Sequence, residues 1–264
     1  MGAGSQGCLI GEGRYGLSRT PPDAALADLH VILHVPKTGG QSIRFHLQRN
    51  LRFDSEYVHI GPYGRRHASE TGVLPWEERS DAERVQARVL HGHHLTSKSH
   101  LLVPETRVVK HAGLLRDPAS RMVSHYNFNV ELKWVRKGQA APDWDWWYRG
   151  QKRNYVCRWI KETFLGLPFD ETQPDEALFA EITGVLESFW LLATLPHFDA
   201  FVARLYADIG VPPATPRRVN VAGRAYPARV MLDDRISAAI NRDHPVDCAV
   251  YAWAHSRADQ VMAP

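Results

Sequence analysis

The feature that most constrains this chain is one short succession. An apolar, β-branched run, His30-Val31-Ile32-Leu33-His34-Val35, is broken by Pro36 to Gly40 and succeeded by Ser42 to Asn50, with Ile43 and Leu47 at helical spacing. Such a run reads as a buried strand, and the residues after it read as a glycine-containing loop and a helix. The same alternation recurs. Val89-Leu90-His91-Gly92-His93 and Arg107 to Leu115 read as strands, and 81–88 as a short helix. Asp117 is placed to cap a helix with Pro118 as its first residue, running to about Asn129. Helical patterns return at 153–165, 174–187, 196–209, 228–241 and 245–261, whereas 51–79 reads as irregular. Strands alternating with helices favour a mainly parallel α/β sheet. The expected layout is a flexible, glycine-rich arm over 1–27 and a single domain over 28–264.

Composition removes several other classes. At 44% hydrophobic and 23% charged, the chain is too apolar for a disordered protein and too mixed for a coiled coil. Its longest apolar run, Phe189 to Leu195, is far short of the ~18–20 residues of a membrane span. The first thirty residues lack the apolar centre of a signal peptide, so a cytoplasmic protein is expected. Lys and Arg total 32 against 29 Asp and Glu, which argues against a nucleic-acid partner while allowing a local basic pocket. Three scattered cysteines form neither a disulfide framework nor a zinc pattern.

Three segments carry chemistry. In His34-Val35-Pro36-Lys37-Thr38-Gly39-Gly40-Gln41-Ser42, a loop joins a strand's carboxyl end to a helix's amino end. Free backbone N–H groups and the helix dipole favour an anion there, and two glycines let the backbone come close to it. Lys37 adds a charge, and Thr38 and Ser42 add hydroxyls. A nucleoside-triphosphatase loop places its Lys after the glycines; here it precedes them, so that motif is absent. The plain alternative is an ordinary turn with a surface lysine. In the second segment, Arg116 and Ser124 sit two helical turns apart and can face one pocket, where an Arg fork suits a phosphate; the alternative is an Arg116–Asp117 contact at a helix cap. The third segment, His91-Gly92-His93-His94, with His100 and His111 not far along the chain, fits a metal cluster, a general base or solvated histidines. It lacks the i, i+4 spacing of a helical zinc motif and has no completing Cys or Glu, so no metal is expected.

Taken together, Pro-Lys-Thr-Gly-Gly-x-Ser after a strand and Arg-Asp-Pro-x-x-Arg-x-x-Ser-x-Tyr downstream resemble the PAPS-dependent sulfotransferases. The carbohydrate branch, with the heparan and uronyl 2-O-sulfotransferases and their bacterial relatives, is the most similar. The resemblance spans roughly 30–260 and is strong over 33–128. It implies a P-loop-like, three-layer α/β/α domain. It further implies that Lys37, Thr38, Gly39, Gly40, Gln41 and Ser42 hold the 5′-phosphosulfate of PAPS, with Arg116 and Ser124 on the 3′-phosphate. Arg218 and Asn220, in a late loop, would close over the nucleotide. The branch's His-Gly-His falls on His91 and His93, which implies His93 as general base and His91 as an accessory. Lys37 would stabilise the leaving phosphate.

Weaker echoes lie at Asn154 to Arg158, Phe198 to Gly210 and Pro245 to Tyr251. The implied partner is a hydroxyl acceptor on a glycan or another small molecule, for which the tryptophans at 134, 144, 146 and 147 among Lys and Arg offer a wall. That wall has a plain alternative, core packing. An ATP-dependent kinase and a non-catalytic nucleotide-binding module are the competing readings.

Overall fold

The computed structural model describes residues 27–71, 74–105, 107–213 and 229–262. The arm expected over 1–27, apart from its last residue, and the late loop with Arg218 and Asn220 lie outside these residues. Strand β1 (Leu29–Leu33) leads into helix α1 (Gly40–Asn50), and strand β2 (Tyr57–His59) is followed by α2 (Pro62–Thr71) and α3 (Asp81–Arg84). Strands β3 (Val89–Gly92) and β4 (Val109–Leu115) come next, with α4 (Pro118–Lys133), α5 (Trp144–Arg149), α6 (Tyr155–Trp159) and α7 (Asp175–Glu187) behind them. Strand β5 (Leu191–Thr194), α8 (Phe198–Ile209), α9 (Asp234–Asp243) and α10 (Pro245–Met262) complete the described chain. The five strands form one sheet in the order β2-β3-β1-β4-β5, and every pairing is parallel.

The sheet is buried on both faces, as parallel sheets are. On one face, Ile32, Tyr57, Val89, Ala112, Leu114 and Leu191 pack against Ile43 and Leu47 of α1 and Phe201, Val202 and Leu205 of α8. On the other, Leu33, Leu115 and Leu192 meet Val156, Ile182, Leu186 and Val250 from α6, α7 and α10. Val31, Val58 and Leu90 continue that face against Trp76, Ala87 and Leu95. The result is the expected three-layer α/β/α architecture with β1 at the centre.

Several elements depart from the sequence reading. The irregular stretch 51–79 contains β2 and α2; a three-residue strand is too short to show alternation. The helix expected over 81–88 ends at Arg84, and that over 228–241 starts at Asp234, where Asp233 caps it through the Ile236 amide at 2.7 Å. The helix expected over 153–165 is α6 continued by a π-turn at Ile160–Leu165. Asp117 caps α4 as read, accepting from the Ser120 amide at 2.7 Å.

Trp144 and Trp147 are core rather than wall. They are buried with Tyr126, Val130, Ile236 and Ile240, where α4, α5 and α9 meet. Of the three tryptophans of that helix, only Trp146 is well exposed. A groove of about 450 Å³ remains, lined by Trp134, Trp146, an edge of Trp147, Arg149, Gly150 and Gln151.

The echo at Asn154 to Arg158 has a structural role. Asn154 Oδ1 accepts from the amides of Val246 and Asp247 at the start of α10. The Asp247 carboxylate accepts from the amides of Val156 and Cys157 at the start of α6, both at 2.9 Å. Two helix ends thus satisfy each other's orphan N–H groups. Arg158 pairs with Glu162 and Glu171.

Candidate active site

Ligands of parallel α/β sheets bind beyond the carboxyl ends of the strands, where neighbouring connections diverge. Here those ends carry His34 and Lys37 after β1, His93 after β3 and Arg116 after β4. The structure therefore brings together three segments that the sequence keeps up to eighty residues apart.

The β1–α1 loop owes its shape to its glycines, for two different reasons. Gly39 is the helix N-cap at φ 95°, a left-handed conformation that side chains resist. Gly40 has no such φ; a Cβ there would lie 2.2 Å from the His34 ring, so only hydrogen fits. Lys37 is itself left-handed at φ 74°. A non-glycine residue in that region costs on the order of 1–2 kcal/mol and is held there by its surroundings. The turn leaves the amides at the start of α1 without intrahelical acceptors. The Thr38 hydroxyl donates to the Val35 carbonyl at 2.8 Å, so it shapes the loop and is not the free donor expected from sequence. Ser42, also buried, closes the turn through its amide to the Gly39 carbonyl at 3.0 Å.

Among the described residues, no carboxylate pairs with Lys37. Its Nζ rests 3.8 Å above the centre of the Phe128 ring of α4. Burial, and then the neighbouring Arg116 guanidinium, lower its pKa to about 8. Arg116 donates through Nη1 to the Lys37 carbonyl at 3.3 Å, while its buried Nε has no hydrogen-bond partner among the described residues. A guanidinium fork with a donor left over is chemically suited to an anion. Ser124 lies two turns into α4, half-buried, on the same helix as Phe128. Its neighbour His125, which the sequence reading passed over, is held neutral with its pKa lowered to about 4 by burial and by Arg121.

The His-Gly-His segment divides into two parts. Gly92 is glycine because a Cβ would meet the Ile60 carbonyl at 2.0 Å, where the end of β2 crosses. His93 faces the loop. Its Nδ1 lies 2.7 Å from the His34 carbonyl. A carbonyl only accepts, so Nδ1 carries the proton and Nε2 keeps its lone pair. Burial first of all lowers the His93 pKa, partly offset by that hydrogen bond, so the ring is neutral near pH 7. His91, in contrast, is fully buried and bonds Tyr57 through Nδ1 at 2.7 Å. It lies behind His34, with the two rings stacked at 4.9 Å. His100 and His111 pair with each other edge-on, 6.2 Å apart, the latter against Phe164 and Phe189.

No protein-family profile matches the chain, and no curated protein sequence matches it. Among solved structures it is similar to a sulfotransferase from Alicyclobacillus acidocaldarius, at 14% identity and a TM-score of 0.43, over 90% of this chain and 96% of that one. No helix among the described residues is long and apolar enough to cross a membrane.

Proposed function

We propose that the chain, acting through residues 28–264 as one domain, transfers a sulfuryl group from PAPS to an acceptor hydroxyl. The observation that carries this reading is the juxtaposition of two cations, Lys37 and Arg116, that no carboxylate among the described residues pairs with, and an imidazole, His93, whose tautomer is fixed. Open amides at the start of α1 stand beside them. The residues fit a nucleotide with separated anionic groups. Lys37, Thr38, Gly39, Gly40, Gln41 and Ser42 would hold the 5′-phosphosulfate, Thr38 through its amide, and Arg116 with Ser124 the 3′-phosphate. Arg218 and Asn220 keep the role that the resemblance implies.

When bound, PAPS supplies the activated sulfuryl group. His93 Nε2 takes the proton of the acceptor hydroxyl as its oxygen attacks sulfur, an effect typically worth ~10²–10⁴-fold. Lys37 and the loop amides meet the negative charge released onto the 5′-phosphate as the sulfur–oxygen bond breaks. Removing one such donor commonly costs ~10²–10³-fold. His34 and His91 act behind His93: the His34 carbonyl orients it, and His91 supports His34. The scheme balances without a further acid, since the phosphate departs as an anion. The acceptor approaches from the His93 side, as a glycan or other small molecule.

Calorimetry tests the donor. Metal-independent binding of PAP, with much weaker binding of ATP, is expected. ATP preference with a magnesium requirement would instead favour a kinase. Binding of PAP without turnover in any acceptor screen, read as sulfuryl gain by mass spectrometry, would favour a non-catalytic module.

A further inference from the structure

We propose that His34, His59 and His91 together bind one divalent transition-metal ion of imidazole preference, zinc being the reference case. This site lies behind the proposed nucleotide grip, sharing His34 and His91 with the support of His93, and the argument for it does not rest on the sulfuryl-transfer reading. Three neighbouring strands supply it. His59 and His91 are directly opposed in the β2–β3 ladder, and His91 is opposed to Ile32 in the β3–β1 ladder. His34 lies two residues beyond Ile32. With a side-chain period of two, all three imidazoles project from one face, beneath α1. Each offers one nitrogen, and the three atoms lie within 4.8 Å of one another.

Burial makes this cluster different from a surface accident. The three residues are 3%, 5% and 0% exposed. His34 Nδ1 and His91 Nε2 are sealed from water without a hydrogen-bond partner among the described residues. Buried polar nitrogens are seldom left so, and a metal ion supplies the missing partner. The Tyr57 hydroxyl on His91 Nδ1 is the outer-shell contact that ligating histidines ordinarily have, and it directs Nε2 to the cluster. Three neutral nitrogens suit zinc, copper or nickel rather than magnesium or calcium. Arg44 of α1 lies near enough to oppose the charging of all three rings. The His34 and His91 planes are 9° apart, so one ring turns about Cβ–Cγ to share an ion. Loading therefore changes the surroundings of His34, whose ring packs on Gly40 of the anion loop.

A second histidine cluster, His197, His255 and Asp259, provides the control. Its members are half-buried or exposed, and their nitrogens already bond Thr194 and Asp259. The experiment uses the untagged full chain, stripped with chelator and titrated with Zn²⁺ against a chromophoric competitor, with Co²⁺ as spectroscopic probe. One tight equivalent and an intense visible band of four-coordinate Co²⁺ are expected. His59→Gln and His91→Gln should weaken binding by ~100-fold or more, since even outer-shell partners are worth about 10–100-fold, and Tyr57→Phe by ~10-fold. His255→Ala should retain the tight equivalent. Circular dichroism checks that each variant is folded. If a buried variant fails to fold, the ¹⁵N shifts of the wild-type histidines decide, because Zn²⁺ must move three imidazole signals. A wild-type chain with no tight equivalent, or loss of that equivalent in His255→Ala alone, would overturn the proposal.

Discussion

Two lysines at opposite ends of the same sheet have opposite surroundings. Lys110, at the amino end of β4, touches both Asp28 and Asp208 at 2.7 Å, and hydrogen bonds to those carboxylates raise its pKa. His30 of β1 shares Asp208 at 2.6 Å. Lys37, beyond the carboxyl end of β1, has an aromatic face and another cation beside it, and its pKa falls to about 8. Nearby, Arg116 keeps a buried donor that nothing among the described residues accepts from. One end of the sheet is closed by mutual pairing; the other holds its positive charges open. Charges that satisfy each other stabilise a fold, whereas charges held apart from partners are arranged for something outside it. The reciprocal caps of Asn154 and Asp247 belong with the first kind, despite lying in a segment that resembles a functional motif.

The largest break expected is at His93. His93→Ala should lower turnover by ~10²–10⁴-fold while leaving PAP affinity nearly intact, and unchanged turnover would remove it from its role. Lys37→Ala should cut the rate by ~10²–10³-fold and also weaken PAP. Because the lysine has no carboxylate to lose among the described residues, chemical denaturation should show no matching loss of stability. Asp208→Asn should do the reverse. It removes the negative charge and one of the two acceptor oxygens that buried His30 and Lys110 share, at a cost of about 1–3 kcal/mol in unfolding free energy, with PAP binding unaltered. A parallel fall in PAP affinity would mean that the two ends are not independent.

A pH series sharpens the comparison further. The Lys37 charge is present below pH 8 and is lost as pH rises through about 8. The PAP dissociation constant should be flat below that value and roughly tenfold higher one unit above it, and Lys37→Arg should flatten the curve. Lys110 titrates higher still, so Lys110→Met should leave the curve in place. Its effect on stability should be the smallest of all, within ~1 kcal/mol, as expected for a pair open to water.

Much of the site is readable along the chain because its parts are local. A strand, a glycine turn and a helix start are fixed by neighbouring residues, and so are the Asp117 cap and the first turn of α4. The role of Gly39 follows from such a turn. That of Gly40 does not, because the His34 ring packs against it only when the loop folds back. Gln41 and Ser42 take their places simply by opening α1. The Trp-rich segment shows the opposite limit. Its composition suits sugar stacking, and only the approach of α9 turns Trp144 and Trp147 inward. Similarly, no spacing announces His59, which lies thirty-two residues from His91 in the chain yet directly across the ladder from it.

The amino-acid sequence alone determined the alternation of strands and helices, the glycine-containing loop after β1 and the chemical types at each strand's end, since these depend on torsional preference and short-range periodicity. Tertiary structure decided which of those types meet. Strand order set Lys37 beside Arg116, hid His91 behind His34, and turned His93 so that a backbone carbonyl holds its proton. Those outcomes follow from long-range packing and from which polar atoms are left without partners once water is excluded, and neither is written in any local stretch of residues.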